Sequence, residues 1–335
     1  MGQSTFYALN DVVLELDSAG PPEEIDRLLR ELSWAAIPNS GCESSLYLSV
    51  QSNSARFSIP PTCREVLRTD EFCGFELGDN FFLSDGSSIF HLRPYAGEAY
   101  ARIAPSFFCK PPLAQANFWC FGLLKLLRPL GIYSLHAAGL ATPDGSGVLL
   151  VGSSGSGKST LTIALIRAGW NYLSDDAVLL RADSPGVEAL ACRRSFFIDA
   201  ARAADYSDFS LGDEEPDSNG GQRRNVDINE AYPEQYLARC LPRIVIFPKI
   251  TPRSQSMLRP IDSVQSLRLL LAQSAPQLFD RSTMSGHVEL LKSLLQQAET
   301  YELNAGMDLY HQPAKLVDLI RDAGGAGNCR ALSLS

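Results

Sequence analysis

The sequence predicts an α/β fold over residues 113–335, built around a strand–glycine loop–helix unit and preceded by a smaller α+β domain over 1–112. Three observations predict it. The apolar run Gly147-Val148-Leu149-Leu150-Val151 leads directly into a glycine-rich stretch at 152–157, and a helix-forming run from Ser159 to Ala168 leaves it, with Gly169 placed as a C-terminal cap. Further apolar runs at 132–141, 170–180 and 242–250 supply strands for the same sheet. Before Pro111-Pro112, short strand-like runs alternate with turn residues and a single helical pattern.

Composition narrows the class of protein. A chain of 335 residues and 36.5 kDa is too long for one small core. Its net charge of −9 argues against a nucleic-acid partner, since such surfaces carry a basic excess that displaces counterions. The cysteines Cys42, Cys63, Cys73, Cys109, Cys120, Cys192, Cys240 and Cys329 include no C-x-x-C pair, and scattered thiols of this kind fit a reducing cytoplasm. Apolar runs such as Phe118 to Leu124 are too short to span a bilayer, so no membrane partner is expected. Met1-Gly2 opens like a myristoylation signal, but Phe6 stands where Ser or Thr is required. Association of copies into a homo-oligomer is left open.

Residues 5–16 read as strand material, and Pro21-Pro22-Glu23-Glu24 opens a helix through Leu32, because proline suits the first turn and acidic residues favour the positive end of the helix dipole. Leu46 to Val50, Arg56 to Ile59, Phe81 to Leu83 and Ser88 to Leu92 read as short strands of an antiparallel sheet. Nothing there converges on a chemistry, and His91 reads as a structural histidine. After Pro112, Gln115 to Leu127 reads as a helix closed by Arg128-Pro129, with Phe118, Trp119 and Phe121 as core.

The strand expected at Ile132 to Ala141 carries His136, and Asp144-Gly145 in the connection to Gly147 signals a hairpin. The stretch that follows, Gly152-Ser153-Ser154-Gly155-Ser156-Gly157-Lys158-Ser159, fits the P-loop pattern G-x-x-x-x-G-K-[ST]. Chance supplies this pattern about once in a hundred chains of this length, taking Gly at about 7%. Glycines allow the tight turn through which the backbone N–H groups of Ser154 to Ser159 surround a polyphosphate. Lys158 would neutralise the β- and γ-phosphates, and the Ser159 hydroxyl would ligate Mg²⁺; Thr160 follows in the first helical turn. The bland alternative is a glycine-rich turn with an exposed lysine.

Asp175-Asp176 lies between apolar residues, 17 positions beyond Lys158, enough for one helix and a return strand ending beside the phosphates. Alternation along a strand would turn one carboxylate to the nucleotide and the other to a metal or a neighbouring loop, while a helix cap or turn pair is the structural alternative.

At these residues the chain resembles the HPr kinase/phosphorylase family, whose nucleotide core is similar to that of phosphoenolpyruvate carboxykinase. That family has a histidine on the strand before the loop, the loop G-x-S-G-x-G-K-S, and an Asp-Asp pair after the following helix; here these are His136, Gly152 to Ser159 and Asp175-Asp176. The resemblance spans about residues 132 to 180. It implies ATP and Mg²⁺ as cofactors, Asp175 as the base toward a substrate serine, Asp176 and Ser159 as Mg²⁺ ligands, and His136 near the transferred phosphate. The family's further Glu and Arg around a glycine-rich turn has no clear counterpart after residue 180, and residues 1–110 do not resemble its N-terminal domain. Related kinases act in peptide-modification systems on a serine of a precursor peptide.

Beyond this region, 199–225 reads as a polar loop, either an insertion or a lid, in which Arg223 and Arg224 are candidate contacts to phosphate or acceptor. The core strand Pro242 to Ile250 lacks the terminal Asp of a Walker B motif, leaving Asp175-Asp176 as the acidic element. Helices are expected at 262–273 with Asp262 as N-cap, 286–298 and 313–322, and a strand at 300–303; His287 and His311 read as surface residues at element ends. The function expected is phosphorylation of a serine on a peptide or protein. The alternatives are a small-molecule kinase of shikimate or nucleoside-monophosphate type and a non-catalytic nucleotide-binding switch or assembly module.

Overall fold

The computed structural model describes residues 4–18, 22–38, 43–51, 59–183, 186–193, 196–216, 221–274, 282–312 and 314–322. Pro21, most of the strand expected at 56–59, the 217–220 part of the polar loop, Pro313, Cys42 and Cys329 lie outside them. Within the described residues the protein is a mixed α/β structure with several sheets, and no helix is long and apolar enough to cross a membrane. The chain divides into two compact units, residues 1–133 with 279–284, and 134–278 with 285–335.

In the first unit a nine-stranded sheet runs in the order Ala35–Ile37, Thr5–Leu9, Val12–Ser18, Leu46–Gln51, Glu98–Arg102, Ile89–Arg93, Asn80–Ser84, Cys73–Leu77, Arg64–Arg68. The expected antiparallel sheet is therefore mixed. Leu46–Gln51 lies parallel to both Val12–Ser18 and Glu98–Arg102, because the helix Pro22–Glu31 in one connection and the intervening strands in the other return the chain to the same end of the sheet. One face is apolar and carries Leu14, Leu48, Phe81, Phe90 and Ala99, all buried.

The helix Pro112–Leu127 packs on that face: the Phe118 ring lies 5.3 Å from Phe107, and Trp119 meets Phe90 edge-on at 5.2 Å. The sequence places this helix with the following domain; its ring contacts place it in the first compact unit. Gly122 is what lets it approach so closely, since a Cβ there would stand 2.4 Å from the Phe90 ring. Gly122→Ala should thus destabilise the protein by about 1–3 kcal/mol, against the ~1 kcal/mol that alanine gains in helix propensity. Denaturant unfolding of the two proteins checks the sign.

In the second unit the main sheet runs Asn171–Ser174, Ala137–Ala141, Gly147–Val151, Pro242–Ile250, Glu299–Ala305, Met257–Pro260. The expected hairpin is present, with Ala137–Ala141 antiparallel to Gly147–Val151, and Pro242–Ile250 lies parallel to Gly147–Val151 on its other side. Helix Lys158–Arg167 buries Leu161, Ile163, Leu165 and Ile166 against this sheet. Asp262 caps helix Ser263–Ala272 as expected, accepting from the N–H groups of Val264 at 2.9 Å and Gln265 at 2.8 Å.

Further expectations change in this unit. The polar segment 199–225 is not a loop throughout: Phe196–Asp199, Gln222–Val226 and Leu211–Pro216 form an antiparallel sheet, anchored by the buried Phe196, Ile198 and Val226. His287 is wholly buried on the inner face of helix Met284–Gln297, beside Leu290, Leu291 and Leu294 in the helical register, and is not a surface residue.

Candidate active site

The runs 132–141 and 170–180 are each two strands rather than one. Ala137–Ala141 and Asn171–Ser174 are neighbours in the six-stranded sheet, whereas Ile132–Leu135 and Val178–Asp183 are neighbours in a separate sheet. One chain segment changes sheets at His136 and the other at Asp175-Asp176-Ala177, so the two passages lie side by side. That pairing of strand breaks brings the histidine to the carboxylates. Asp176 turns the corner with φ 68°, a left-handed conformation that few residues besides Gly, Asn and Asp adopt, and the Ala177 N–H reaches back to the Asp175 carbonyl at 2.8 Å.

The glycine loop leaves strand Gly147–Val151 at its C-terminal end. Gly155 (φ 78°) and Gly157 (φ 93°) supply the left-handed turns that aim the backbone into the helix starting at Lys158. The first N–H groups of that helix have no intrahelical acceptor, and the helix dipole adds positive potential to them, so the loop is suited to an anion. Lys158 is 6% exposed and curls over the loop: its Nζ donates to the Gly152 carbonyl at 2.6 Å and the Ser153 carbonyl at 3.2 Å, and lies 3.0 Å from His136 Nε2. Burial holds the Lys158 ammonium below the usual lysine range, with Asp175 and Asp176 pulling the other way.

The two carboxylates stand in different environments. Asp175 is 2% exposed, and burial pushes its carboxyl up to about 6 against the stabilising Ser159 hydroxyl, with Asp176 adding to the rise. Its Oδ1 is buried with no hydrogen-bond partner. Asp176 is half exposed; its Oδ1 lies 3.3 Å from His136 Nδ1 and its Oδ2 3.4 Å from Arg193 Nη1. Burial lowers the His136 pKa below the ordinary imidazole value, Asp176 opposing and Lys158 and Arg193 reinforcing, so the ring is neutral at pH 7. Because Nε2 faces an ammonium, it accepts, and the ring proton sits on Nδ1, toward Asp176.

Arg193 is the site residue that sequence reasoning missed. Ser174 fixes it: the Ser174 hydroxyl donates to the Arg193 carbonyl at 2.7 Å and accepts from the N–H groups of Arg193 at 2.7 Å and Cys192 at 3.1 Å, while the Asp175 N–H reaches the same carbonyl at 3.3 Å. Nothing in the local pattern around Arg193 marks it, since the contact depends on a strand returning from the next sheet. Ser174→Ala would remove the acceptor that two buried backbone N–H groups, those of Cys192 and Arg193, share, and a loss of about 1–3 kcal/mol is expected, read as a lower melting temperature.

The structure thus gathers His136, Lys158, Ser159, Asp175 and Asp176 around one end of the glycine loop. Arg223 and Arg224 sit on the three-stranded sheet, Arg224 paired with Glu214 at 2.8 Å and Arg223 over the Phe197 ring at 4.2 Å. Among the described residues no group of three His, Cys, Asp or Glu is arranged to hold a metal alone. The oxygens of Asp175, Asp176 and Ser159 are nevertheless the hard donors a Mg²⁺ ion takes when substrate phosphates complete its shell, and the unpartnered Asp175 oxygen fits such a site.

No protein-family model matches the chain. Among curated proteins, an HPr kinase/phosphorylase of Chlorobium chlorochromatii (strain CaD3) is 40% identical over 68 residues, 20% of this chain and 20% of that protein. The chain therefore matches this relative over about a fifth of the relative's length. Among solved structures, the Hpr(Ser) kinase/phosphatase from Coxiella burnetii aligns with 58% of this chain and 98% of its own, at 13% identity and a TM-score of 0.30, too loose an overlay to define a shared fold. Over those 68 residues the chain is similar to an HPr kinase/phosphorylase.

Proposed function

We propose that this protein is an ATP-dependent kinase that transfers the γ-phosphate to a serine hydroxyl of a peptide or protein, using a P-loop core of the HPr kinase type. The observation that carries the reading is the joint placement of Lys158, His136 and the Asp175-Asp176 pair at one end of an anion-binding loop. The backbone from Gly152 to Thr160, with the Lys158 ammonium, would hold the phosphates, and Ser159 and Asp176 would hold Mg²⁺. Bound there, the cation supplies charge neutralisation on the phosphate oxygens.

Asp175 is the proposed base. It is ionised at pH 7, yet burial makes it a stronger proton acceptor than an exposed carboxylate. His136 positions the Lys158 ammonium through Nε2 and Asp176 through Nδ1. Arg223 and Arg224 are the proposed contacts to phosphate or acceptor, and residues 1–112 the proposed acceptor-recognition domain. Incubation with γ-labelled Mg²⁺-ATP and serine-containing peptides tests the reading: label on an acceptor serine supports it, and nucleotide binding with no transfer to any peptide or metabolite favours a nucleotide switch.

A further inference from the structure

The helices of the first unit cover one face of its nine-stranded sheet. The opposite face carries a transverse row, Asp17, Ser49, Tyr100, His91, Phe82 and Phe75, each in Cα register with the next on six adjacent strands. The rings form a continuous stripe: Phe82 stacks on His91 at 4.6 Å, and His91 and Tyr47 each lie about 6 Å from Tyr100, at 6.1 and 6.2 Å. Tyr100 is 41% exposed. Beside it opens a hollow of about 230 Å³ lined by Ser49, Gln51, Ile89, His91, Tyr100 and Arg102. At the other end the row turns acidic, with Asp17 accepting from the Tyr47 hydroxyl at 3.4 Å and Glu15 on the same strand and face.

The chemistry of the row selects its occupant. Ring faces and a hollow below the ~300 Å³ of ordinary small-molecule pockets suit a single apolar side chain. Carboxylates at the far end, on a chain of net charge −9, exclude a phosphodiester backbone and call for a cation. From the Tyr100 strand to the Asp17 strand is two strand spacings, roughly 9.6 Å. A peptide in the polyproline II conformation places residues i and i+3 on one side about 9.3 Å apart, whereas an extended strand offers about 6.6 Å for i and i+2.

We propose that this face binds a polyproline II peptide, seating an apolar side chain in the hollow at Tyr100 and a Lys or Arg three residues away at Asp17 and Glu15. Aromatic grooves take such peptides because their conformation is preformed and little entropy is lost on docking. The binding is independent of phosphoryl transfer and is read without nucleotide.

The test is selection of a random octapeptide display library on the full-length protein, followed by fluorescence anisotropy of the enriched peptides. Enrichment of an apolar residue and a basic residue at i and i+3, with affinity falling at least about tenfold in Tyr100→Ala and in Asp17→Asn but not in Lys292→Ala, supports the proposal. Both mutated side chains are on the solvent face, and melting curves establish that the variants fold. Absence of enrichment, an i and i+2 spacing, unchanged binding by both variants, or Tyr100-dependent binding of single-stranded oligothymidine instead of peptide would overturn it.

Discussion

Asp175→Asn should lower phosphoryl transfer by about 10²–10⁴-fold while leaving nucleotide affinity intact, and at the same time make the nucleotide-free, metal-free protein more stable. Both effects follow from one buried carboxylate. Its folded pKa of about 6 lies above the unfolded value of 3.8, so between those values the folded state holds the extra proton and stability falls as pH rises. Above about pH 6 the whole cost of burying the charge is present, about 3 kcal/mol, and the amide removes it. The variant should melt a few degrees higher than the parent at pH 8 and at the same temperature at pH 3. In the parent, transfer should fall as pH drops below about 6, because the base becomes protonated. A variant that still transfers phosphate at the parent's rate would remove Asp175 as base; if Asp176→Asn alone abolishes transfer while Asp175→Asn alone raises the Mg²⁺ requirement, the two carboxylates exchange roles.

Lys158→Met should reduce transfer by about 10²–10³-fold and weaken nucleotide binding as well, since a preorganised cation contributes to both ground state and transition state. In the structure the ammonium is held by two carbonyls of its own loop and by His136, so it is placed before any phosphate arrives. The methionine keeps the stem and loses all three bonds. Single-turnover transfer with Kd for ATP measured separately distinguishes the two losses. An unchanged Kd together with an unchanged rate would mean that Lys158 serves only to close the loop.

The sequence made the centre of the second unit legible because local rules operate there. The hairpin at Asp144-Gly145, the tight turn of the glycine loop and the Asp262 cap each depend on a few consecutive residues, and each is found where it was read. Non-local features were not legible. The run 132–141 reads as one mainly apolar strand, with no Gly, Pro or turn pair at His136 to mark the break there; only the neighbouring sheet makes the chain leave. Arg193 was missed for the same reason, since its partner Asp176 sits at the matching break in the other segment. The polar segment 199–225 misled because its own apolar positions are few and widely spaced, although the buried Phe196, Ile198 and Val226 that flank it, with Tyr206 and Phe209 inside it, anchor it to the core. Residues 5–102 showed strand-like runs, but strand order and parallel pairing are fixed by the connections and not by the runs themselves.

The left-handed backbone at Asp176 also sets which amino acids selection can explore there. In a saturation library at position 176 ranked by cellular abundance, Gly and Asn should outrank Ala, and Val and Ile should fall last, since β-branched residues pay most to enter that region. Glutamate keeps the charge but loses the conformation, and its longer side chain displaces the carboxylate from its place between Arg193 and His136. Drift at this position is therefore channelled toward residues that preserve the corner while discarding its carboxylate, so an inactive but well-folded descendant is one substitution away.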